Sequence, residues 1–174
     1  MKNQYLYLAS KQANKIPYSE RLNQYIKVWF ETNKDTFVFS TEDNFNSEDI
    51  EATFESHKKI YRETGKIYIW TGESKNTIFG KEKINHYFRA WHDYIHLNYN
   101  LGYSITEESI VCNIQRDILP NEWYFEKELI NAEIIGQAHY YYKNNSFVEN
   151  QRLFTSMYLN DSINALKKQQ HDTH

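Results

Sequence analysis

Residues that interrupt regular structure are scarce in this sequence. Only 5 glycines and 2 prolines occur among 174 residues. Because these residues are the strongest local breakers of helices and strands, their scarcity predicts long elements and few hairpins. The chain is long enough to bury a substantial core. We therefore expect a mainly α fold, in which residues 1–174 form a single-domain bundle of five or six helices with at most a small two-stranded β element.

Cysteine and long apolar runs are also nearly missing. Cys112 stands alone and cannot form an internal disulfide, which is typical of a reducing compartment. Its apolar neighbours predict a buried thiol without a catalytic role. No run of about 18 apolar residues occurs, and the first residues lack the apolar segment of a signal peptide. We expect a cytoplasmic protein with no membrane partner.

No sign of charge dominates the sequence. The formal net charge is −3, so there is no global positive field, and nucleic acid is not indicated as a partner. Aromatic residues are abundant instead, with 15 Tyr, 10 Phe and 4 Trp. Residues 1–18 are predicted to form an irregular N-terminal segment, and residues 167–174 a polar tail.

Local signals indicate where the elements begin and end. Ser19 is predicted to cap a first helix, and Ser104 another, because Glu107 follows Ser104 at capping-box spacing. The β-branched and aromatic stretches 36–40 and 66–71 are predicted to be strands that pair. A further long helix is predicted over about 122–143, and Ser146 is predicted to cap the last helix.

The central helix, predicted over about 81–100, carries the most informative pattern. His92 and His96 are four residues apart and therefore share one helical face. Such a pair can offer two nitrogens to one metal ion. Asp93 lies at the edge of the same face and could ligate, act as a base or orient an imidazole. The alternative is a pair of core histidines hydrogen-bonded to carboxylates without any metal.

Two later helices offer partners for these histidines. Glu107 or Glu108 could point inward, although Glu107 could equally do no more than close the capping box. Glu133 and Gln137 lie one turn apart beside a predicted core stripe of Leu129, Ala132, Gly136 and Tyr140. Because unpaired polar burial is costly, these two side chains need polar partners, and the histidines are the nearest candidates.

These residues together predict a metal site between helices. The predicted ligands are His92, His96, Glu133 and Glu108, with Asp93 as a further candidate. Nitrogen and carboxylate oxygen ligands suit Zn, Mn or Fe, and ligand type does not choose among them. An open metal position would activate water for hydrolysis, whereas iron with dioxygen would support oxidation.

The predicted catalytic side chains are Asp93, Arg89 and Gln137. Arg89 lies one turn before His92 and would be available to bind an anionic group of a substrate. The alternative for Arg89 is an ion pair with Glu133 or Asp93.

The string His92-Asp93-Tyr94-Ile95-His96 resembles the His-Asp core of HD-domain phosphohydrolases, which are helical metal-dependent enzymes. That resemblance implies an earlier histidine and a later aspartate, for which His57 and Asp161 stand at tolerable distances.

Residues 85–155 are also similar to uncharacterised helical proteins encoded by bacteriophages. This resemblance implies a phage origin, and thus the host-cell cytoplasm, but no established activity. The matching positions are Phe88-Arg89-Ala90-Trp91-His92-Asp93-x-x-His96, an acidic residue near Glu108, Glu133-x-x-Gly136-Gln137, Phe147 and Gln151-Arg152.

The leading expectation is a metal-dependent hydrolase whose substrate is a small molecule, either a nucleotide or another phosphate ester. A second hypothesis is a non-enzymatic phage or mobile-element protein that binds a host protein, with the His/Glu cluster as buried scaffolding. A third is a non-haem iron oxidase.

Overall fold

The computed structural model describes residues 19–45 and 48–171. Within that part, six helices accompany one two-stranded sheet, which confirms the expected mainly α fold with a small β element. The predicted irregular segment 1–18 lies outside the described residues. The helices are α1 (Glu20–Asn33), α2 (Ile50–Thr64), α3 (Glu82–Tyr99), α4 (Ile105–Ile118), α5 (Tyr124–Asn131, Ala132–Gly136 and Gln137–Asn144) and α6 (Gln151–His171), and the strands are β1 (Phe37–Ser40) and β2 (Ile67–Trp70).

Side-chain caps explain where several helices begin. Ser19 caps α1 by accepting a hydrogen bond from the backbone of Leu22, and Asp49 caps α2 in the same way from Ala52. The capping box predicted for α4 is complete, with Ser104 and Glu107 each bonded to the backbone of the other.

The two strands pair in parallel, with Phe37 opposite Ile67 and Ser40 opposite Trp70. A parallel pair needs a crossover connection, which α2 provides between the strands. Gly65 ends α2 in the left-handed conformation, with φ of 66°, a backbone geometry that glycine adopts without strain. The predicted strands are therefore confirmed.

Aromatic packing fixes helix α3 in the middle of the molecule. Trp91 is 1% exposed, and its ring lies 5.6 Å from Tyr25 and 6.1 Å from Trp29, both on α1. One turn earlier, Tyr87 stacks on Phe30 with ring centroids 3.8 Å apart. Because the aromatic face of α3 is held against α1, the face that carries the histidines is directed elsewhere.

The last third of the chain differs from its prediction in two places. Helix α5 contains a π-helical turn at Ala132–Gly136, which periodicity did not indicate. Helix α6 begins at Gln151, so the prediction that Ser146 caps it is wrong. Helix α6 also reaches His171 and takes in much of the predicted polar tail. None of the described helices is long and apolar enough to cross a membrane.

Candidate metal centre

Two consecutive helices bring three metal-ligating side chains together. His92 and His96 come from α3, and Glu108 comes from the first two turns of α4. The Nε2 atoms of the two histidines lie 3.0 Å apart. Glu108 Oε2 lies 3.2 Å from His92 Nε2, and Glu108 Oε1 lies 3.5 Å from His96 Nε2. This group could hold a metal ion.

The second nitrogen of each imidazole is already used. His96 Nδ1 lies 3.0 Å from the carbonyl oxygen of Leu101, and His92 Nδ1 lies 2.9 Å from Gln115 Oε1. Because these oxygens accept hydrogen bonds, each Nδ1 is the donor, and in neutral rings each Nε2 carries the lone pair. Two facing lone pairs repel one another unless a proton or a metal ion lies between them.

The spacing of the ligand atoms suits a metal ion. Two nitrogens bound to a tetrahedral metal at about 2.0–2.1 Å lie about 3.3–3.4 Å from one another. The two nitrogens lie 3.0 Å apart, and each lies 3.2 or 3.5 Å from a different oxygen of Glu108, so all three separations are close to that value. Small side-chain movements would therefore complete the geometry.

The turn between α3 and α4 builds part of the site. Asn100 ends α3 in the left-handed conformation, with φ of 55°. This turn directs the Leu101 carbonyl back towards His96. Four residues later α4 begins, and its first turn separates two neighbouring carboxylates. Glu107 bonds Gly102 and Ser104 in the capping box, while Glu108 faces the histidines.

Burial and charge act in opposite directions at the His92–Glu108 pair. Burial disfavours the charged imidazolium, but the Glu108 carboxylate outweighs burial and raises the pKa of His92. Burial also disfavours the charged carboxylate, but the two histidines outweigh it and lower the pKa of Glu108. The pair is therefore a protonated imidazole beside a carboxylate when no metal competes for Nε2.

Glu133 lies near this group but is not one of the three converging ligands. Burial raises the pKa of Glu133 to about 7, against the opposing effects of Arg89, Gln137 and His92. Its Oε2 is buried and finds no hydrogen-bond donor among the described residues. The structure thus brings Glu133 within electrostatic reach of His92, and its predicted role as a ligand stays a prediction.

Arg89 donates its hydrogen bonds to backbone carbonyls of the same chain. Its guanidinium donates to the carbonyl oxygens of Trp70 and Gly72 at 2.8 and 2.7 Å and lies over the Trp70 ring. Burial lowers the pKa of Arg89, although the charges of Asp93 and Glu133 favour the cation. No ion pair joins Arg89 to either carboxylate among the described residues, so both hypotheses for Arg89 stay predictions.

Asp93 points to a different place from its two histidine neighbours. Together with His57 and Tyr103, it lines a small cavity of about 20 Å³, enough for roughly one water molecule. Burial raises the pKa of Asp93. His57 is hydrogen-bonded to the Tyr103 hydroxyl at 2.8 Å and is not part of the three-ligand group. Asp161 is exposed on α6 and is also outside that group.

Two residues of the site were not singled out from the sequence. Gln115 is fully buried and orients His92, and it follows Glu108 at i+7, which places both on one face of α4. That spacing was a usable signal. Tyr103 packs edge-on against His96, with ring centroids 5.0 Å apart. It lies in a connection without periodicity, so the sequence offered no comparable signal.

Two of the three ligands are partly exposed. The side chains of His92 and Glu108 are 17% and 15% exposed, whereas His96 is completely buried. The group therefore lies near the surface of the protein. Comparison of the chain with protein-family models, curated proteins and solved structures finds no match.

Proposed function

We propose that this protein is a metal-dependent hydrolase that acts on a nucleotide or another phosphate ester. The observation that carries the proposal is the convergence of His92, His96 and Glu108, whose ligand atoms lie within 4.8 Å of one another. Two imidazoles and one carboxylate form the ligand set of several catalytic zinc centres, in which water or substrate takes the fourth position.

The charges of the side chains around the three ligands favour the binding of a divalent cation. Glu108, Asp93 and Glu133 supply three carboxylates, and Arg89 is the cation that interacts with the latter two. With neutral histidines and ionised acids, this set has an excess of two negative charges, which a divalent ion would neutralise. The raised pKa of His92 is consistent with the same imbalance, because Glu108 and Asp93 favour the charged imidazolium against the effect of burial.

Hydrolysis is the reaction that a metal ion held by these ligands would support. A metal ion lowers the pKa of a bound water molecule, so that a strong nucleophile forms near neutral pH. An ester could approach along the exposed edge at His92 and Glu108. The choice of a phosphate ester rests on the resemblance of the His92–His96 segment to HD-domain phosphohydrolases, although Asp93, His57 and Asp161 lie outside the three-ligand group. Zn, Mn and Fe all accept this ligand set.

A second candidate is a non-haem iron oxidase. Two histidines and one carboxylate also form the facial triad of iron(II) oxygenases, in which the remaining positions bind dioxygen and substrate. The two candidates need the same ligands but differ in the metal and the co-reactant. If the cluster holds no metal, the remaining hypothesis is a scaffold in a protein that binds a host factor.

The test is hydrolysis of bis(p-nitrophenyl) phosphate and p-nitrophenyl phosphate by the purified protein with added Zn²⁺, Mn²⁺ or Fe²⁺. We expect hydrolysis that depends on metal and falls by at least about 100-fold in the double variant His92→Ala, His96→Ala, because both ligand nitrogens are lost. The matched control is His139→Ala, which removes an exposed histidine of α5.

Three outcomes would contradict the proposal in different ways. Full activity in the double variant would refute the ligand assignment. Metal binding without hydrolysis, but with oxygen consumption by the Fe²⁺ protein, would favour the oxidase. Absence of both metal binding and metal-dependent stabilisation would leave the scaffold hypothesis.

A further inference from the structure

We infer that Glu133, on the π-helical turn of α5, is the general base that accepts a proton from the water molecule attacking the ester. This inference rests on the proposed hydrolase function and assigns Glu133 a role other than that of a ligand. Three features of the described residues support it: the π-helical turn itself, the unsatisfied oxygen of Glu133, and the position of Glu133 relative to the three ligands.

The first feature is a local departure from α-helical geometry. Residues Ala132–Gly136 form a π-helical turn between two α-helical halves of α5. Such a turn inserts one residue into the helical repeat, occurs in well under about 1% of residues and is frequent at functional sites. Glu133 is the only ionisable residue within this turn, so it is the residue through which the turn could serve a function.

The surroundings of the turn hold it in place. It packs against α4, which carries Glu108 and Gln115, and against α6. Gly136 has no side chain, and a Cβ atom there would lie 3.1 Å from Phe154 and 3.2 Å from Tyr158. This close approach holds the turn against α6.

The second feature is an unsatisfied carboxylate oxygen. Glu133 Oε2 is buried and has no hydrogen-bond partner in the described part of the chain. A buried polar atom without a partner costs free energy, which is unusual in a packed interior. Gln137, one turn along α5, favours the ionised form of the Glu133 carboxylate, because its side chain lowers the pKa of that group. Oε2 therefore remains available to a donor such as water.

The third feature is the position of Glu133 beside the three ligands but outside their group. Glu133 interacts electrostatically with His92 but does not converge with the three ligand atoms. A base that takes a proton from metal-bound water must lie one hydrogen bond beyond the ligand shell. The π-helical turn packs on α4, the helix that carries Glu108, so Glu133 lies next to the ligand group without joining it.

The proposed step is balanced within the site. The oxygen of the water molecule forms a bond to phosphorus while its proton passes to the Glu133 carboxylate. The bond between phosphorus and the leaving oxygen breaks, and the proton then passes from Glu133 to that oxygen. The products are an alcohol and a phosphate with one ester bond fewer, and Glu133 returns to its carboxylate form.

The test compares Glu133→Gln with Glu128→Gln, using bis(p-nitrophenyl) phosphate as the probe and protein loaded with Zn²⁺ or Mn²⁺. Glu128 is a matched control because it lies on the same helix and pairs with Arg116 at 3.1 Å. We expect Glu133→Gln to bind metal with an affinity within about 3-fold of the wild type. Its hydrolysis rate should fall by about 100-fold or more, the usual effect of removing a general base. Glu128→Gln should hydrolyse the probe at the wild-type rate.

A second variant distinguishes proton transfer from a structural role. In Glu133→Ala, added formate should restore part of the lost hydrolysis, because formate can occupy the cavity and accept the proton. Formate should not restore hydrolysis in Glu108→Ala, which lacks a ligand. A folded, metal-loaded Glu133→Ala protein that formate does not rescue would overturn the inference.

The remaining outcomes separate this inference from the proposed function. Wild-type hydrolysis with an equally active Glu133→Gln variant overturns the general base and leaves the hydrolase intact. Loss of metal from Glu133→Gln shows that Glu133 is a ligand, which also overturns the inference. Metal-loaded wild-type protein that hydrolyses neither phosphate ester refutes the hydrolase, and the general base with it.

Discussion

His92 and His96 present the same atom to Glu108 because their other nitrogens are engaged. The Leu101 carbonyl and Gln115 fix the orientation of each ring before any ligand binds. Such supporting contacts raise the basicity of the ligating nitrogen and reduce the ordering needed on metal binding. Asp93 is only one residue from His92, yet a single helical step turns it away by about 100°. Neighbouring positions in the sequence therefore serve different parts of the site.

Protonation of single residues leads to a prediction about pH. Protein stripped of metal should lose thermal stability as pH rises, because His92, Glu133 and Asp93 all have folded-state pKa values above their ordinary ones. The stability that protonated Glu133 contributes is lost between pH 4.5 and about 7, which are its unfolded and folded pKa values. The stability that protonated His92 contributes is lost between pH 6.5 and about 9. Below these ranges both groups are protonated in the folded and unfolded chains, so their contribution is fully present.

The measurement is the melting temperature between pH 5 and 9, with and without saturating Zn²⁺. The double variant His92→Ala, Glu133→Gln should show a smaller decrease than the wild type. The stabilisation by Zn²⁺ should grow with pH, because the metal displaces a proton from His92. A stripped wild-type protein whose melting temperature holds or rises over this range would contradict the assignment.

At the scale of elements, the first turn of α4 separates two adjacent glutamates by function. Glu107 accepts hydrogen bonds from the Gly102 backbone at 2.8 Å and the Ser104 hydroxyl at 2.6 Å. Glu108, one residue later, faces the histidines at 3.2 and 3.5 Å. A matched pair of variants can therefore separate helix stability from metal binding.

We expect Glu107→Ala to lower the free energy of unfolding by about 1 kcal/mol, because the capping box is lost. Its affinity for Zn²⁺ should remain close to that of the wild type. Glu108→Ala should reduce the affinity for Zn²⁺ by at least about 100-fold while leaving the capping box intact. Urea denaturation and calorimetric Zn²⁺ titration of both variants provide the measurements. The same effect of both variants on metal affinity would count against the separate roles.

Some elements of the site could be predicted from the sequence, and others could not. The shared face of His92 and His96 follows from helical periodicity. The capping box follows from the presence of Ser104 and, three residues later, Glu107. The sequence left Glu107 and Glu108 as alternatives, and the complete capping box decides between them. The π-helical turn at Ala132–Gly136 was not predictable in this way, because periodicity arguments assume 3.6 residues per turn throughout. The position of Glu133 depends on that turn.

At the scale of the whole molecule, the scarcity of glycine and proline predicted the mainly α fold correctly. The two strands and the helix between them could be predicted from the sequence, because the strands have a β-branched and aromatic composition and Gly65 marks the end of the helix. The distances within the site could not be predicted, because a sequence pattern indicates which residues share a helical face but not how closely two helices pack. Glu108 joins the histidines because the connection from Asn100 to Ser104 is short and sets α4 beside α3. Glu133 lies on the next helix along the chain and is not one of the converging ligands.

The central claim is that His92, His96 and Glu108 bind one divalent metal ion. Metal analysis by mass spectrometry after dialysis, with calorimetric titration of Zn²⁺, Mn²⁺ and Fe²⁺, tests it most directly. We expect about one bound ion per chain in the wild type and none in Glu108→Ala or in His92→Ala, His96→Ala. A wild-type protein that binds none of the three ions, and is not stabilised by them, would contradict it.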